Sequence, residues 1–320
     1  MPVPYFLLTE PTFRNYRWGG RKLATVLGKS LPREGVWAES WEIVDHAEHQ
    51  SVIRNGEFSG LSLKQLSAAD PQWLFGDSKT SQLPLLFKYL DCHDVLSVQV
   101  HPDDSYAKGM NPPDLGKTEA WYIVDAEPGA VLYAGLREGI TKAQLHNAID
   151  AEEVESCLHR IQPKRGDCVF IPAGTVHALG AGLLVAEIQQ ASNTTFRLFD
   201  WNRVDAHGNS REVHLEQALK VIDYESGPRP VQVPSATEQT GRERLVRCEK
   251  FNFDRIVGSS VVAGDGRLHL LTAPFGGVDL NCGSERLQLA TGQSAIIPAA
   301  MATVDTVVSE NCVLLDMYVA

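Results

Sequence analysis

Gly166-Asp-Cys-Val-Phe-Ile-Pro172-Ala-Gly174-Thr-Val-His177 reads as a tight turn, a short apolar strand, a Pro-x-Gly turn and a histidine. The layout returns at Gly292-Gln-Ser-Ala-Ile-Ile-Pro298-Ala-Ala300-Met-Ala-Thr303, with alanine for the second glycine and threonine for the histidine. One structural unit is written twice, once with an imidazole and once without. A duplicated β-barrel with one active copy is the simplest account of both stretches.

The surrounding sequence agrees. Leu86–Tyr89, Leu96–Val100, Trp121–Val124, Val131–Ala134 and Leu183–Ile188 are short, β-branched or aromatic, and bounded by Gly, Pro, Asn or Asp. Leu268–Thr272, Leu287–Ala290 and Val313–Tyr318 repeat the pattern nearer the C-terminus. No long helix separates successive strands as a parallel sheet requires, so an antiparallel sandwich or barrel is expected. Helices are predicted over Leu63–Leu74, over Lys142–Ile149 behind the Thr141-to-Gln144 capping-box spacing, over Glu152–His159, and over Glu212–Asp223. Ser226-Gly-Pro-Arg-Pro-Val-Gln-Val-Pro234 and the polar run to Arg244 read as a linker or crossing strand between two β-rich units.

Composition narrows the function. The 320 residues are 43% hydrophobic and 22% charged, which is ordinary globular chemistry. Lys plus Arg is 29 against 40 Asp plus Glu, for a net charge of −11. A field of that sign repels nucleic acid and anionic lipid, so neither is an expected partner. No apolar run approaches spanning length, and Met1-Pro-Val-Pro-Tyr-Phe-Leu-Leu-Thr-Glu-Pro11 lacks the basic start of a secretory signal. The six cysteines include no Cys-x-x-Cys pair and read as reduced thiols of a cytoplasmic protein.

Ser97-Val-Gln99-Val-His101-Pro-Asp-Asp104 carries the chemistry. Strand alternation puts Ser97, Gln99 and His101 on one face and Val98 and Val100 on the other. Polar groups on an inward face are costly unless satisfied, so that face should look into a wet or metal-lined cavity. After the turn, the same alternation aligns Lys117, Glu119 and Trp121. With His177 as a second imidazole, two neutral imidazoles and one carboxylate suit Zn²⁺, with Mn²⁺, Fe²⁺ and Co²⁺ as alternatives. Gln99 offers a further amide oxygen. The other histidines read as surface or capping groups, with His207, in a polar turn, the one worth locating.

These residues resemble the cupin superfamily: Gly166…Pro172-x-Gly174-x-x-His177 matches its second motif, and Gln99-x-His101…Glu119 stands for the first. That replacement resembles the type I mannose-6-phosphate isomerases in their short bacterial form. The similarity continues through Tyr16-Arg-Trp18-Gly-Gly20, Ala38-Glu-Ser-Trp-Glu-Ile43, Leu86-Phe-Lys88-Tyr-Leu-Asp91, Glu187-Ile-Gln-Gln-Ala-Ser-Asn193, Phe196-Arg197 and Asp200-Trp-Asn-Arg203. The resemblance implies a mainly β fold of two cupin-type jelly-roll barrels with a few short helices. Residues 1–225 would form the catalytic metal-binding domain. Residues 226–320 would form the linker and a second, metal-free barrel, with Thr303 in the ligand position. The large helical insertion of longer members is missing, with only Thr141–His159 near its place.

The resemblance also implies one Zn²⁺ per chain on Gln99, His101, Glu119 and His177. It assigns a catalytic Arg197, an active-site acid Glu187 and pocket lysines Lys88 and Lys117. The implied partner is a small sugar phosphate, and a monomer or weak homodimer is expected. An aldose–ketose isomerase moves a proton between C1 and C2 through an enediol(ate), which needs a base and positive charge beside the oxygens. Glu187 is the base candidate, since a carboxylate on an apolar strand is otherwise hard to explain; a metal-bound hydroxide or Lys117 are alternatives. Structural readings stand beside these roles: Arg197 paired with Asp200, Lys88 reaching the surface, and Trp18 packed in the core rather than stacked on sugar. Two rival functions keep the same site: an Fe²⁺-dependent cupin oxygenase, and a non-enzymatic metal-containing sugar-phosphate-binding module.

Overall fold

The computed structural model describes residues 3–76, 80–204 and 208–320, so His207 lies outside the described residues. The chain is mostly strand and divides into two compact units. One comprises the described residues of Met1–Tyr16, Arg21–Tyr89 and Val233–Ala320; the other comprises Arg17–Gly20 and the described residues of Leu90–Gln232. The return at Val233 falls in the proline-rich stretch. The grouping of the N-terminal segments with the C-terminal strands has no counterpart in a single cut at 225/226. Its physical basis is direct: Leu7 exchanges backbone hydrogen bonds with Ile296 at 3.0 and 2.8 Å, and the Tyr89 hydroxyl meets Thr272 Oγ1 at 2.5 Å.

In the unit holding the middle of the chain, five antiparallel strands lie in the order Phe196–Phe199, Val98–Val100, His177–Leu179, Leu132–Leu136, Leu158–Ile161. A second sheet sets Leu183–Gln190 beside Glu119–Ala126 and that strand beside Cys168–Ile171. The outer face of the five-stranded sheet is apolar. Val98, Val100, Ala178, Phe196 and Leu198 pack with Leu145 and Ala218 from the helices Lys142–Asp150 and Leu215–Val221. Period-two alternation then turns Gln99, His177 and Arg197 to the other face.

The helix over Lys142–Asp150 begins at Thr141 with the expected capping box. The expected helix at Glu152–His159 does not form. Glu152 takes a left-handed conformation (φ 61°), Val154–Cys157 makes one 3₁₀ turn, and Leu158–Ile161 pairs as an edge strand. Likewise Leu63–Leu74 is two short helices, Leu63–Ala69 and Pro71–Phe75, because Asp70 caps the second and Pro71 cannot continue the first. Gly174 sits at φ 86°, with its N–H donated to His101 O at 2.8 Å, and so fixes the turn that delivers His177.

The C-terminal strands of the other unit repeat this plan. Ser260–Val262, Val304–Val308, Val278–Cys282 and Glu285–Leu289 form one sheet in that order. The strand Val313–Val319 lies beside His269–Phe275, and that strand beside Ser294–Ile297. One face of this larger sheet is apolar at one end, where Ile256, Leu271 and Leu314 join the core. At the other end it carries a charged row: Arg244 is opposite Asp254 and Asp254 opposite Asp316, with Tyr318 opposite His269. Arg242 Nη2 reaches both Asp254 and Asp316 at 2.6 Å.

His269 Nδ1 lies 2.8 Å from Asp316 and Nε2 lies 3.2 Å from Asp265. Burial pushes this imidazole down, but the two carboxylates outweigh burial and hold its pKa up at about 9. The raised folded pKa means that its contribution to stability is complete below the unfolded value of 6.5 and disappears as pH rises through about 9. Melting temperature should therefore fall between those pH values, and the fall should flatten in His269→Gln. Parallel melting-versus-pH curves for the two proteins would contradict this.

Candidate metal centre and active site

His101, Glu119 and His177 are brought together from both sheets of one unit, each about 1% exposed, with their ligand atoms all within 4.8 Å of one another. His101 follows the strand Val98–Val100, His177 begins its own strand, and Glu119 begins the strand Glu119–Ala126. The imidazoles are oriented from behind. His101 Nδ1 meets the Thr194 carbonyl at 3.0 Å and His177 Nδ1 meets the Thr175 carbonyl at 2.8 Å. An Nδ1–H donated to a carbonyl leaves Nε2 as the lone-pair atom, the tautomer a metal needs.

Both Nε2 atoms face Glu119: His101 at 3.5 Å from Oε2 and His177 at 3.4 Å from Oε1. A tetrahedral ion with bonds of about 2.0–2.1 Å holds its donors about 3.3 Å apart. The donor set thus fits a divalent metal in spacing and in chemistry. Burial, opposed by the Thr175 hydrogen bond and assisted by Lys117, lowers the pKa of His177 to about 4. At neutral pH it is the uncharged imidazole that coordinates metal. The Gln99 amide lies 3.2 Å from His177 Nε2, and a half-turn of that amide would present Oε1 at the same place.

The groups around this centre follow from strand register. Arg197, Gln99 and His177 are lateral neighbours on adjacent strands, so their side chains leave from one face. On the other sheet, Glu119 is opposite Gln189 and Trp121 opposite Glu187. The Trp121 ring packs edge-on to His177 at 5.3 Å, and its indole N–H donates to Glu187 Oε2 at 3.0 Å. Lys117 Nζ stands 3.2 Å from Glu119 Oε2. Seven of the sequence candidates therefore belong to one neighbourhood: Gln99, His101, Lys117, Glu119, His177, Glu187 and Arg197.

The structural alternative for Arg197 is corrected. Among the described residues it makes no ion pair with Asp200, which is paired instead with Arg203, with Arg17 at 3.4 Å and with Arg211 at 3.8 Å. Arg197 Nη1 donates to the Glu212 carbonyl at 2.6 Å, and half-burial followed by Arg211 lowers its pKa. Lys88 is buried rather than surface-reaching, 3.6 Å from Glu39 and over the Trp41 ring at 5.9 Å. Trp18 is buried, at 5% exposure, as core packing requires. Sequence reasoning missed Gln189, although it alternates with Glu187 on one face of a strand. Its amide N–H groups go to the Gln190 and Ser192 carbonyls at 2.9 and 2.7 Å. The Thr175 and Thr194 carbonyls carried no signal, because any residue supplies one.

An antiparallel β protein with buried His, Glu and His converging from two sheets is a metal-capable protein of the cupin kind. The family described as phosphomannose isomerase type I, catalytic domain, matches residues 6–127. Mannose-6-phosphate isomerase ManA of Bacillus subtilis (strain 168) is 37% identical over 277 residues, 82% of this chain and 87% of its own. The mannose-6-phosphate isomerase of Streptococcus mutans is 35% identical over 302 residues, 93% of each chain. The crystal structure of the mannose 6-phosphate isomerase from Bacillus subtilis superposes with a TM-score of 0.89 at 31% identity, covering 98% of this chain and 100% of that one. The chain belongs to the type I phosphomannose isomerase family.

Proposed function

We propose that the protein interconverts mannose 6-phosphate and fructose 6-phosphate by proton transfer between C1 and C2 through a cis-enediol(ate), with one Zn²⁺ held by Gln99, His101, Glu119 and His177. The observation that carries the reading is the buried donor set, with a neutral His177, bordered on one side by Glu187 and on others by Lys117 and Arg197. A bound divalent ion supplies Lewis-acid stabilisation of negative charge on substrate oxygen. Glu187 takes the proton from one carbon and returns it to the other, its carboxylate aimed by the Trp121 indole. Arg197 and Lys117 place fixed positive charge beside the developing enediolate. The pairing of Lys117 with Glu119 favours this electrostatic role over that of base. The assignment of Lys88 and Trp18 to substrate rests on the family resemblance.

Residues 1–225 and 226–320 are assigned as the catalytic and the metal-free cupin-like portions of the chain. Six free cysteines support a reducing, cytoplasmic location. Among the described residues no helix is long and apolar enough to cross a membrane.

The test is fructose 6-phosphate formation from mannose 6-phosphate by the purified protein, followed in both directions. Product in both directions supports the reading. Tight sugar-phosphate binding without product would favour a binding module, and oxygen consumption with bound iron an oxygenase. Arg197→Ala should lower kcat by about a hundred- to a thousandfold, roughly 3–4 kcal/mol, with metal content unchanged. Undiminished turnover would remove Arg197 from the mechanism.

A further inference from the structure

The C-terminal strands hold a cavity of about 780 Å³, lined among others by Gln239, Arg244, Arg247, Asp265, Arg267 and His269. Its place in the repeat is specific. In the metal-holding unit, Glu119 opens its strand with Ile171 and Gln189 as its lateral neighbours. In the C-terminal repeat, His269 opens the equivalent strand with Ile297 and Tyr318 as its lateral neighbours. Asp316, two residues before Tyr318, matches Glu187, two residues before Gln189, and Thr303 matches His177 in the sequence echo. The cavity therefore occupies the position that the other unit gives to its donor set.

The chemistry there is inverted. The carboxylate of Glu119 is replaced by an imidazole that two aspartates hold protonated, with a pKa of about 9. An imidazolium has no lone pair for a metal. Arg242 and Arg244 stand beside it, anchored on Asp254 and Asp316 behind the cavity. Three guanidinium groups lie over the Tyr318 ring: Arg267 at 4.8 Å, Arg242 at 5.6 Å and Arg244 at 5.9 Å. Arg267 pairs with Asp265 at 2.9 Å, whereas the Arg247 side chain makes no ion pair or hydrogen bond among the described residues. A buried ionic network is no more stable than well-packed apolar side chains of the same volume, so packing alone does not call for it. Guanidinium forks matched to an oxyanion do.

We propose that this cavity is a second ligand site, distinct from the metal centre, that binds a small phosphorylated polyol. The phosphate is held by Arg247 and Arg267 at the entrance, over the cationic floor made by Arg244 and His269. Gln239 and Asp265 supply acceptors for hydroxyl groups. The site needs no metal and stands whether or not the isomerase reading holds.

The experiment is phenylglyoxal modification of the full-length protein, mapped by mass spectrometry, with and without inorganic phosphate or glucose 6-phosphate at roughly millimolar concentration. Arg247 and Arg267 should be protected, and more strongly by the sugar phosphate, while the exposed Arg33 and Arg286 react unchanged. In calorimetry, the Arg247→Ser, Arg267→Ser double variant should weaken glucose 6-phosphate binding at this second site by about tenfold or more. Both side chains are exposed, so the variant keeps the buried network and should fold. His177→Ala should leave the protection of both arginines intact. Equal modification of Arg247 and Arg267 with and without either ligand would overturn the proposal, as would protection that His177→Ala abolishes.

Discussion

His177→Ala should lose bound metal and lose turnover by about a thousandfold or more, roughly 4 kcal/mol or above. The imidazole is fully buried, its Nδ1 is committed to the Thr175 carbonyl, and its Nε2 faces Glu119 at 3.4 Å. Alanine removes one of the two imidazole donors and leaves the Glu119 carboxylate and Lys117 without the ion that the donor set is shaped for. Atomic absorption on the variant, beside kcat for mannose 6-phosphate, checks both parts. His177→Asn serves as a second variant, since an amide can still reach the Thr175 carbonyl and keep the turn intact. Metal retained at full stoichiometry in both would contradict the assignment of His177 as a ligand.

Glu187→Gln should behave differently: metal retained, KM little changed, and kcat lower by about a hundred- to ten-thousandfold, the range expected of a positioned acid or base. The amide is isosteric and its oxygen still accepts the Trp121 N–H that now holds Oε2 at 3.0 Å. The change removes the proton-accepting group and little else. Turnover within a few fold of the parent would exclude Glu187 as the base and pass the role to Lys117, which Lys117→Met would then test. A loss of metal in Glu187→Gln would show instead that the carboxylate supports the donor set.

The parts of the site legible in the sequence are those that strand alternation exposes. Val98 and Val100 had to be buried, so Gln99 and His101 had to face the other way, and the structure packs the two valines against the helix-covered face. Lys117, Glu119 and Trp121 were aligned by the same rule, and the Pro-x-Gly turn singled out His177. The echo at Gly292–Thr303 announced a repeated strand–turn–strand, which both units contain. The illegible parts had no periodic signal. Leu158–Ile161 is an edge strand four residues long behind a left-handed Glu152, and its composition resembles the end of a helix. The polar run to Arg244 reads as a linker or crossing strand, yet Arg242 and Arg244 are drawn into the sheet by Asp254 and Asp316, far along the chain. The joining of the N-terminal segments to the C-terminal strands depends on pairings such as Leu7 with Ile296, which no local pattern encodes.

The most direct test of the account is turnover of mannose 6-phosphate before chelation, after chelation, and after return of Zn²⁺, with metal content measured on the same samples. The account predicts one ion per chain, activity lost with the ion, and activity restored by zinc. Full activity in metal-free protein, or no turnover in protein carrying one ion per chain, would contradict it.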